Sequence, residues 1–142
     1  MIDEFAIRPF TSADTDVVVT LWTACGLVRP WNNPYRDIER KLTTGPELFL
    51  VGEVGGRVVG SAMGGYDGHR GWVNYLAVEP ESQGSGYARA LMAEVERMLT
   101  ERGCPKISLQ IRDTNARVVA FYERLGYAVD PVVSMGKRLI PD

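Results

Sequence analysis

The stretch EPESQGSGYARALMAEVERML, residues 79–99, places three small residues directly before a strongly amphipathic run. The apolar residues of that run repeat as one stripe of a core-facing helix: Leu91, Met92, Val95, Met98 and Leu99. Gly103 ends the predicted helix. The first turn of a helix exposes unpaired N–H groups and the positive end of the helix dipole. The small residues therefore either start a helix and do nothing more, or form a cradle for a phosphate.

The turn does not fit the two common nucleotide-binding patterns. A P-loop requires a Lys followed by Ser or Thr, and no Lys stands at that point. A dinucleotide fingerprint counted from Gly84 requires Gly or Ala where Arg89 stands. The strand that follows ends without an acid to hold a ribose, because Asp113 comes too late. A nucleotide site is therefore the weakest interpretation of this turn.

Periodicity and turn signals place two helices before the sheet. A short strand is predicted around Ala6–Arg8, and TSAD at residues 11–14 resembles a capping box. The apolar residues that follow share one helical face, and Gly26 ends that helix. A second helix is predicted at about Tyr35–Leu42, with Pro34 near its first turn.

The middle of the chain is typical of a three-strand antiparallel meander. Gly55-Gly56 separates ELFLVGEV from RVVGSAMGGYD and is a two-residue hairpin signal; GWVNYLAV supplies the third strand. KISLQI, Lys106–Ile111, alternates like a strand, and the helix before it favours a parallel crossover. Residues 115–127 predict a last short helix, and the tail at about Ala128–Leu139 a final strand or pair. The order β-α-α-β-β-β-α-β-α-β is an α+β (mixed α/β) fold with helices around a mixed, mostly antiparallel sheet.

Composition restricts the class of protein. The chain has 142 residues, which predicts a single domain over residues 1–142. No apolar run is long enough to span a membrane, and MIDEFAIRPF does not resemble a signal peptide, so a cytoplasmic location is expected. A net charge of -2 with interspersed signs argues against nucleic acid as the partner. Cys25 and Cys104 are interpreted as buried reduced thiols. With His69 the only histidine and no CxxC, neither a metal site nor a His-dependent nucleophile is predicted.

Two segments resemble the GNAT family, the GCN5-related N-acetyltransferases. LAVEPESQGSGYARALM, residues 76–92, is similar to the family's motif A, where a strand ending in V-x-P leads to [QR]-x-x-G-x-[GA]. Gln83, Gly86 and Ala88 occupy its three defining positions. NARVVAFYERLGY is similar to the family's last helix through Asn115, Tyr122, Glu123, Leu125, Gly126 and Tyr127. Both motifs stand in the family's order, and the resemblance covers nearly the whole chain, being greatest to small bacterial members.

The resemblance implies the GNAT acyl-CoA N-acyltransferase fold, acetyl-CoA as cosubstrate, and a primary amine as acceptor. The CoA pyrophosphate would lie on the backbone amides of the turn, and the pantetheine arm along the edge of the strand before it. The amide of Val78 would then stabilise the oxyanion, with no covalent enzyme intermediate. No metal, nucleic acid or membrane is implied, and a homodimer is compatible with the family. The expected acetyl-CoA-binding residues are Leu76, Ala77, Val78, Gln83, Gly84, Ser85, Gly86, Tyr87, Ala88, Arg89 and Asn115.

The resemblance also suggests catalytic roles. Tyr122 would be the general acid that protonates the departing CoA thiolate; the alternative is that Tyr122 only packs with Phe121 on the apolar side of its helix. Many family members carry a Glu base on the strand before motif A, and here that strand offers Asn74. The base is left open between a water chain and four side chains, Glu53, Glu79, Asp67 and His69.

The acceptor side is expected in the loop between the first two helices. Arg29 would hold an acceptor carboxylate, Trp31 would cover an apolar or cationic group, and Asn32 lies beside them. The alternative is an ordinary surface loop shaped by Pro30 and Pro34. A second function also stays open, in which the chain is a non-catalytic acyl-CoA-binding sensor or interaction module.

Overall fold

The computed structural model describes residues 4–142. Residues 1–3 of MIDEFAIRPF, the segment compared with a signal peptide, lie outside the described residues. The described chain forms two compact units, one ending at Leu109 and the other running Gln110–Asp142. The single domain expected from the length stays a prediction. Across residues 4–142 no helix combines the length and apolar character needed to cross a bilayer.

The first unit is built on a five-stranded sheet in the order β1-β2-β3-β4-β5. Its neighbours pair antiparallel except β4 and β5, which are parallel. This confirms the predicted meander and crossover. Gly55 and Gly56, at φ 57° and 77°, make the left-handed turn that a two-residue hairpin requires. The strands are β1 Phe5–Pro9, β2 Phe49–Val54, β3 Arg57–Tyr66, β4 Gly71–Val78 and β5 Ile107–Ser108.

Helices cover both faces of this sheet. The helices of the first unit are α1 Thr15–Ala24, α2 Pro34–Lys41 and α3 Tyr87–Glu101; the second unit contains α4 Ala116–Arg124. Ser61 of β3 bonds Trp22 of α1, whereas a Cβ at Gly60 would touch Leu91 of α3. Because neighbouring strand residues point to opposite faces, α1 and α3 lie on opposite sides of the sheet. Four of the five residues of the predicted α3 stripe are buried: Leu91, Met92, Val95 and Leu99.

The strand predictions after α3 are wrong in two respects. No strand forms in residues 128–142, and β5 has two residues where six were expected. The apolar side chains of the tail are exposed, with Val133 and Met135 at 86% and 91%. Alternation favours a strand only where a neighbouring strand supplies hydrogen bonds and a face to pack on. The described tail finds no such partner strand, so its pattern alone does not make it a strand.

Candidate active site

The end of β4 that leads into the Gly-rich turn has an open edge. β5 pairs with β4 only at Gly71 and Trp72. Among residues 4–142, no strand pairs with Leu76–Val78 on the side away from β3. Apart from the Val78 carbonyl, the backbone groups on this side are therefore available to a ligand that binds as an added strand.

The register shows which way the backbone of Val78 points. The N–H of Glu79 donates to the carbonyl of Val59 at 2.8 Å. Successive residues of an antiparallel strand direct their N–H and C=O groups to opposite sides, so those of Val78 point away from β3. The Val78 carbonyl accepts from Gln83 Nε2 at 3.1 Å and from Cys25 Sγ at 3.3 Å. Gln83 thus ties the turn to the strand and leaves the Val78 N–H on the open side.

The turn after β4 presents the features of an anion site. Gly86 begins α3 at φ 84°, and the first helical bond runs from the Ala90 N–H to the Gly86 carbonyl at 3.1 Å. The N–H groups of residues 87–89 therefore have no acceptor within the helix. The first turn of α3 contains no acidic residue. A Cβ at Gly84 or Gly86 would meet no atom within 4 Å, so the backbone can be approached closely.

An aromatic pair fixes the start of α3 to the sheet. The rings of Tyr87 and Phe5 stack with centroids 4.1 Å apart. The Phe5 ring lies directly over Gly52 of β2, where an added Cβ would come within 2.4 Å of two ring atoms. Tyr87 was predicted as a ligand contact, and the structure adds this packing role, which no local sequence signal indicates.

The three predicted acceptor residues in the loop between α1 and α2 have different exposure and different hydrogen-bond partners. Trp31 is 54% exposed, while the Arg29 guanidinium donates to the Gly26 carbonyl at 2.9 Å. Asn32 turns towards the protein: its amide donates to Asp37 Oδ2 at 2.5 Å and to the Tyr75 hydroxyl at 3.2 Å. Asn32 is therefore engaged with α2 and β4.

Tyr75 is the residue that sequence analysis missed. It is the one non-glycine residue with positive φ, at 52°, in the described chain. The β3–β4 register shifts at this point, so that Tyr75 and Leu76 together oppose Ala62 in a β-bulge. The Tyr75 ring stacks on Trp22 with centroids 3.7 Å apart, and its hydroxyl donates to Asp37 Oδ2 at 2.6 Å. A tyrosine in a strand pattern carries no local signal for either feature.

Tyr122 lies in the second unit, on α4. Asn115 caps this helix by accepting from the Val118 N–H at 3.4 Å. Tyr122 is 7% exposed and makes edge contacts with the rings of Phe121 and Tyr127. Burial raises the pKa of Tyr122 to about 12. The phenol is therefore both a packing group and a stably protonated one.

The four side chains considered as the base are paired or remote. Glu79 accepts from Arg57 at 2.6 Å, and this bond lowers the pKa of the Glu79 carboxyl. Glu53 accepts from Arg8 at 3.2 Å. Asp67 and His69 precede β4, and at about 3.3 Å per residue they lie roughly 20 Å from Val78. No group of three or more potential metal ligands occurs in residues 4–142.

The fold is that of acetyltransferases. AAC(6')-Iy, solved in complex with the bisubstrate analogue CoA-S-monomethyl-acetylneamine, matches with TM-score 0.78 and 19% identity, over 96% of this chain and 99% of that one. Ard1 from Thermoplasma volcanium matches with TM-score 0.77 and 24% identity, over 89% and 84%.

The sequence comparisons identify the family. The model of the "Acetyltransferase (GNAT) family" matches residues 16–127, and the chain belongs to this family. "Acetyltransferase YE1169" from Yersinia enterocolitica is 52% identical over 136 residues, which are 96% of both chains. The chain is an acetyltransferase.

Proposed function

We propose that this protein transfers the acetyl group of acetyl-CoA directly to a primary amine. The observation that carries the proposal is the open edge at Leu76–Val78, followed at once by the uncapped N-terminus of α3. The edge suits the amides of a pantetheine arm, and the N–H groups of residues 84–89 suit a pyrophosphate. The complex of AAC(6')-Iy with a CoA-derived analogue supports this use of the shared fold.

The proposed reaction has one tetrahedral intermediate. The neutral amine attacks the thioester carbonyl, and the Val78 N–H stabilises the oxyanion that forms. Collapse breaks the C–S bond and expels the CoA thiolate, which takes a proton from the hydroxyl of Tyr122. The attacking nitrogen loses its proton to water, and the Tyr122 phenolate takes a proton back from water. Burial raises the pKa of Tyr122 to about 12, so the hydroxyl is protonated at neutral pH but is a weaker acid than that of an exposed tyrosine. The role therefore rests on the position of Tyr122 in the family motif and not on its pKa.

We assign removal of the amine proton to water. Glu53 and Glu79 are bound to arginines, and Asp67 and His69 lie at the far end of β4. Asn74, at the strand position where many family members carry Glu, cannot accept the proton as a base. The water chain is thus the alternative that these contacts favour. The loop that contains Arg29, Trp31 and Asn32 is proposed as the acceptor side.

The test is release of free CoA thiol from acetyl-CoA with a panel of small amines and peptides with free N-termini. We expect release only with an acceptor, and an acetylated amine in equal amount. Gly86→Glu should abolish acetyl-CoA binding, since it brings a negative charge to the anion site. Gly86→Asn, which tolerates the same backbone conformation without charge, should retain most of it. Binding of acetyl-CoA with no release across the panel would instead favour the non-catalytic sensor.

A further inference from the structure

Three elements of the first unit meet at one carboxylate. Oδ2 of Asp37, on α2, accepts from the Tyr75 hydroxyl of β4 at 2.6 Å and from the amide of Asn32 in the α1–α2 loop at 2.5 Å. We propose that Tyr75 and Asp37 are positioning residues: they latch the acceptor-side loop to the acetyl-CoA edge of β4 and couple the two binding sites. The inference rests on the proposed function, which assigns acetyl-CoA to the edge of β4 and the acceptor to the α1–α2 loop.

The latch holds a backbone conformation that β4 would not adopt unaided. A φ of 52° is disfavoured for tyrosine because its Cβ crowds the following carbonyl. Such a conformation persists only where its surroundings enforce it. The carbonyl of Tyr75 accepts from Ser61 Oγ at 2.8 Å, and Ser61 in turn accepts from Nε1 of the fully buried Trp22 at 2.9 Å. The ring is held by Trp22 and the hydroxyl by Asp37.

The position of Tyr75 explains why the latch matters for acetyl-CoA. Tyr75 comes directly before Leu76–Val78, the edge proposed to bind the pantetheine arm and the thioester. Pairing with β5 is confined to the other side of the bulge, at Gly71 and Trp72. A bulge bends the strand and changes its twist, so the conformation of Tyr75 sets the direction of the open edge.

The contacts of Asp37 explain the coupling. Its inner oxygen, Oδ2, is shared by Tyr75 and Asn32, whereas Oδ1 accepts from the exposed Arg40 at 3.1 Å. The Asp37 side chain is only 21% exposed, so its hydrogen bonds are partly shielded from water and charge-assisted. An acceptor that moves Asn32 must also shift the carboxylate that holds Tyr75. By linkage, acetyl-CoA bound at the edge then changes the affinity of the loop for its acceptor.

The first test compares two tyrosine-to-phenylalanine variants. Tyr75→Phe removes the hydroxyl and keeps the ring on Trp22, and Tyr35→Phe makes the same change at an exposed site on α2. We expect Tyr75→Phe to raise the Kd of acetyl-CoA about tenfold, as for loss of a hydrogen bond to a charged group. Amide hydrogen exchange of Ala77, whose N–H faces β3, should quicken, while that of Leu50 and Val51 in β2 stays unchanged. Tyr35→Phe should alter neither measurement.

The second test is rescue. Asp37→Asn should weaken acetyl-CoA binding and quicken exchange of the Ala77 amide, whereas Glu39→Gln, an equal charge change on the same helix, should not. The double variant Asn32→Asp with Asp37→Asn exchanges amide and carboxylate and should restore most of the lost affinity. If these two side chains only stabilised the fold, exchanging them would not restore the affinity for acetyl-CoA.

Three results would overturn the latch: unchanged exchange and affinity in Tyr75→Phe, equal acceleration throughout the sheet, or no recovery in the exchanged pair. If wild-type protein fails to bind acetyl-CoA, the proposed function fails instead. Exchange of the Ala77 amide then still shows whether the latch holds the edge.

Discussion

At the scale of single residues, the state of Tyr122 leads to a kinetic prediction. Tyr122→Phe should lower kcat about a hundredfold, since a positioned general acid contributes about that factor. Its acetyl-CoA Kd should not change, because the ring remains in place. Steady-state kinetics and calorimetry on the same preparation separate the two effects. Tyr66→Phe, at the end of β3, serves as the control for loss of a hydroxyl.

The raised pKa of Tyr122 also fixes the sign of a pH effect. The proposed acid acts only while protonated, and burial raises the pKa of Tyr122 to about 12. The wild-type kcat should therefore show no decline near pH 10, where an exposed tyrosine ionises. A decline centred near pH 10 that disappears in Tyr122→Phe would contradict the burial argument, and an unchanged kcat in that variant would remove Tyr122 from the mechanism.

The positive φ of Tyr75 and the bulge at this residue could not be predicted from the sequence. The motif residues Gln83 and Gly86 follow from local spacing, because the turn and the helix start are encoded within a few residues. The bulge at Tyr75 depends on Trp22, Ser61 and Asp37, which come from three other elements. No window around Tyr75 contains that information.

At the scale of elements, close approach of α3 to the sheet leads to a stability prediction. A Cβ at Gly71 would come within 2.8 Å of Leu99 Cδ1 and 2.9 Å of Cys104 Sγ. Leu99 is almost fully buried and has little room to move. Gly71→Ala should therefore lower the free energy of unfolding by about 1–3 kcal/mol through overpacking.

The matched control lies in β3. At Gly65 an added Cβ would meet only the flexible end of Lys41, at 3.5 Å, which is an ordinary contact. Gly65→Ala should change the urea midpoint far less than Gly71→Ala. Equal losses in the two variants would show that strand glycines, and not the contact with α3, set the cost.

The same scale separates the predictable elements from the others. The α3 stripe and the Gly55-Gly56 hairpin were predicted correctly because each depends on residues that lie close together in the sequence. The tail at 128–139 was predicted as a strand from alternation, and no strand forms there. A strand is defined by its neighbour, so its pattern alone is not sufficient.

At the scale of the whole molecule, Arg8 of the first strand bonds both to Asp14, directly before the first helix, and to the second strand. Asp14 accepts from Arg8 at 2.8 and 2.9 Å and from the Thr11 N–H at 2.8 Å. Arg8 reaches Glu53 of β2 as well. The TSAD capping box was predicted from sequence, but its arginine was not, because Arg8 belongs to the preceding strand.

These contacts determine how stability depends on acid. The Arg8 hydrogen bonds hold the pKa of Asp14 below its usual value of 3.8. A lowered folded pKa means that the contribution is complete above the unfolded pKa, and is lost as the pH falls below 3.8 through the folded pKa. Asp14→Asn should thus cost about 2 kcal/mol near pH 7, as for hydrogen bonds to a charged group. Its unfolding free energy should also fall less steeply than that of wild type below pH 4.

The control is an ion pair of similar length on the surface. Glu101 accepts from Arg97 at 2.7 Å, but its side chain is 65% exposed, whereas that of Asp14 is 9% exposed. Glu101→Gln should change stability by less than about 1 kcal/mol, because water and salt screen an exposed pair. Urea unfolding of the three proteins from pH 3 to pH 7 measures both effects. If the two variants lose equal stability at pH 7, the length of an ion pair and not its burial governs its contribution here, and the acid dependence must then arise from the summed surface charge.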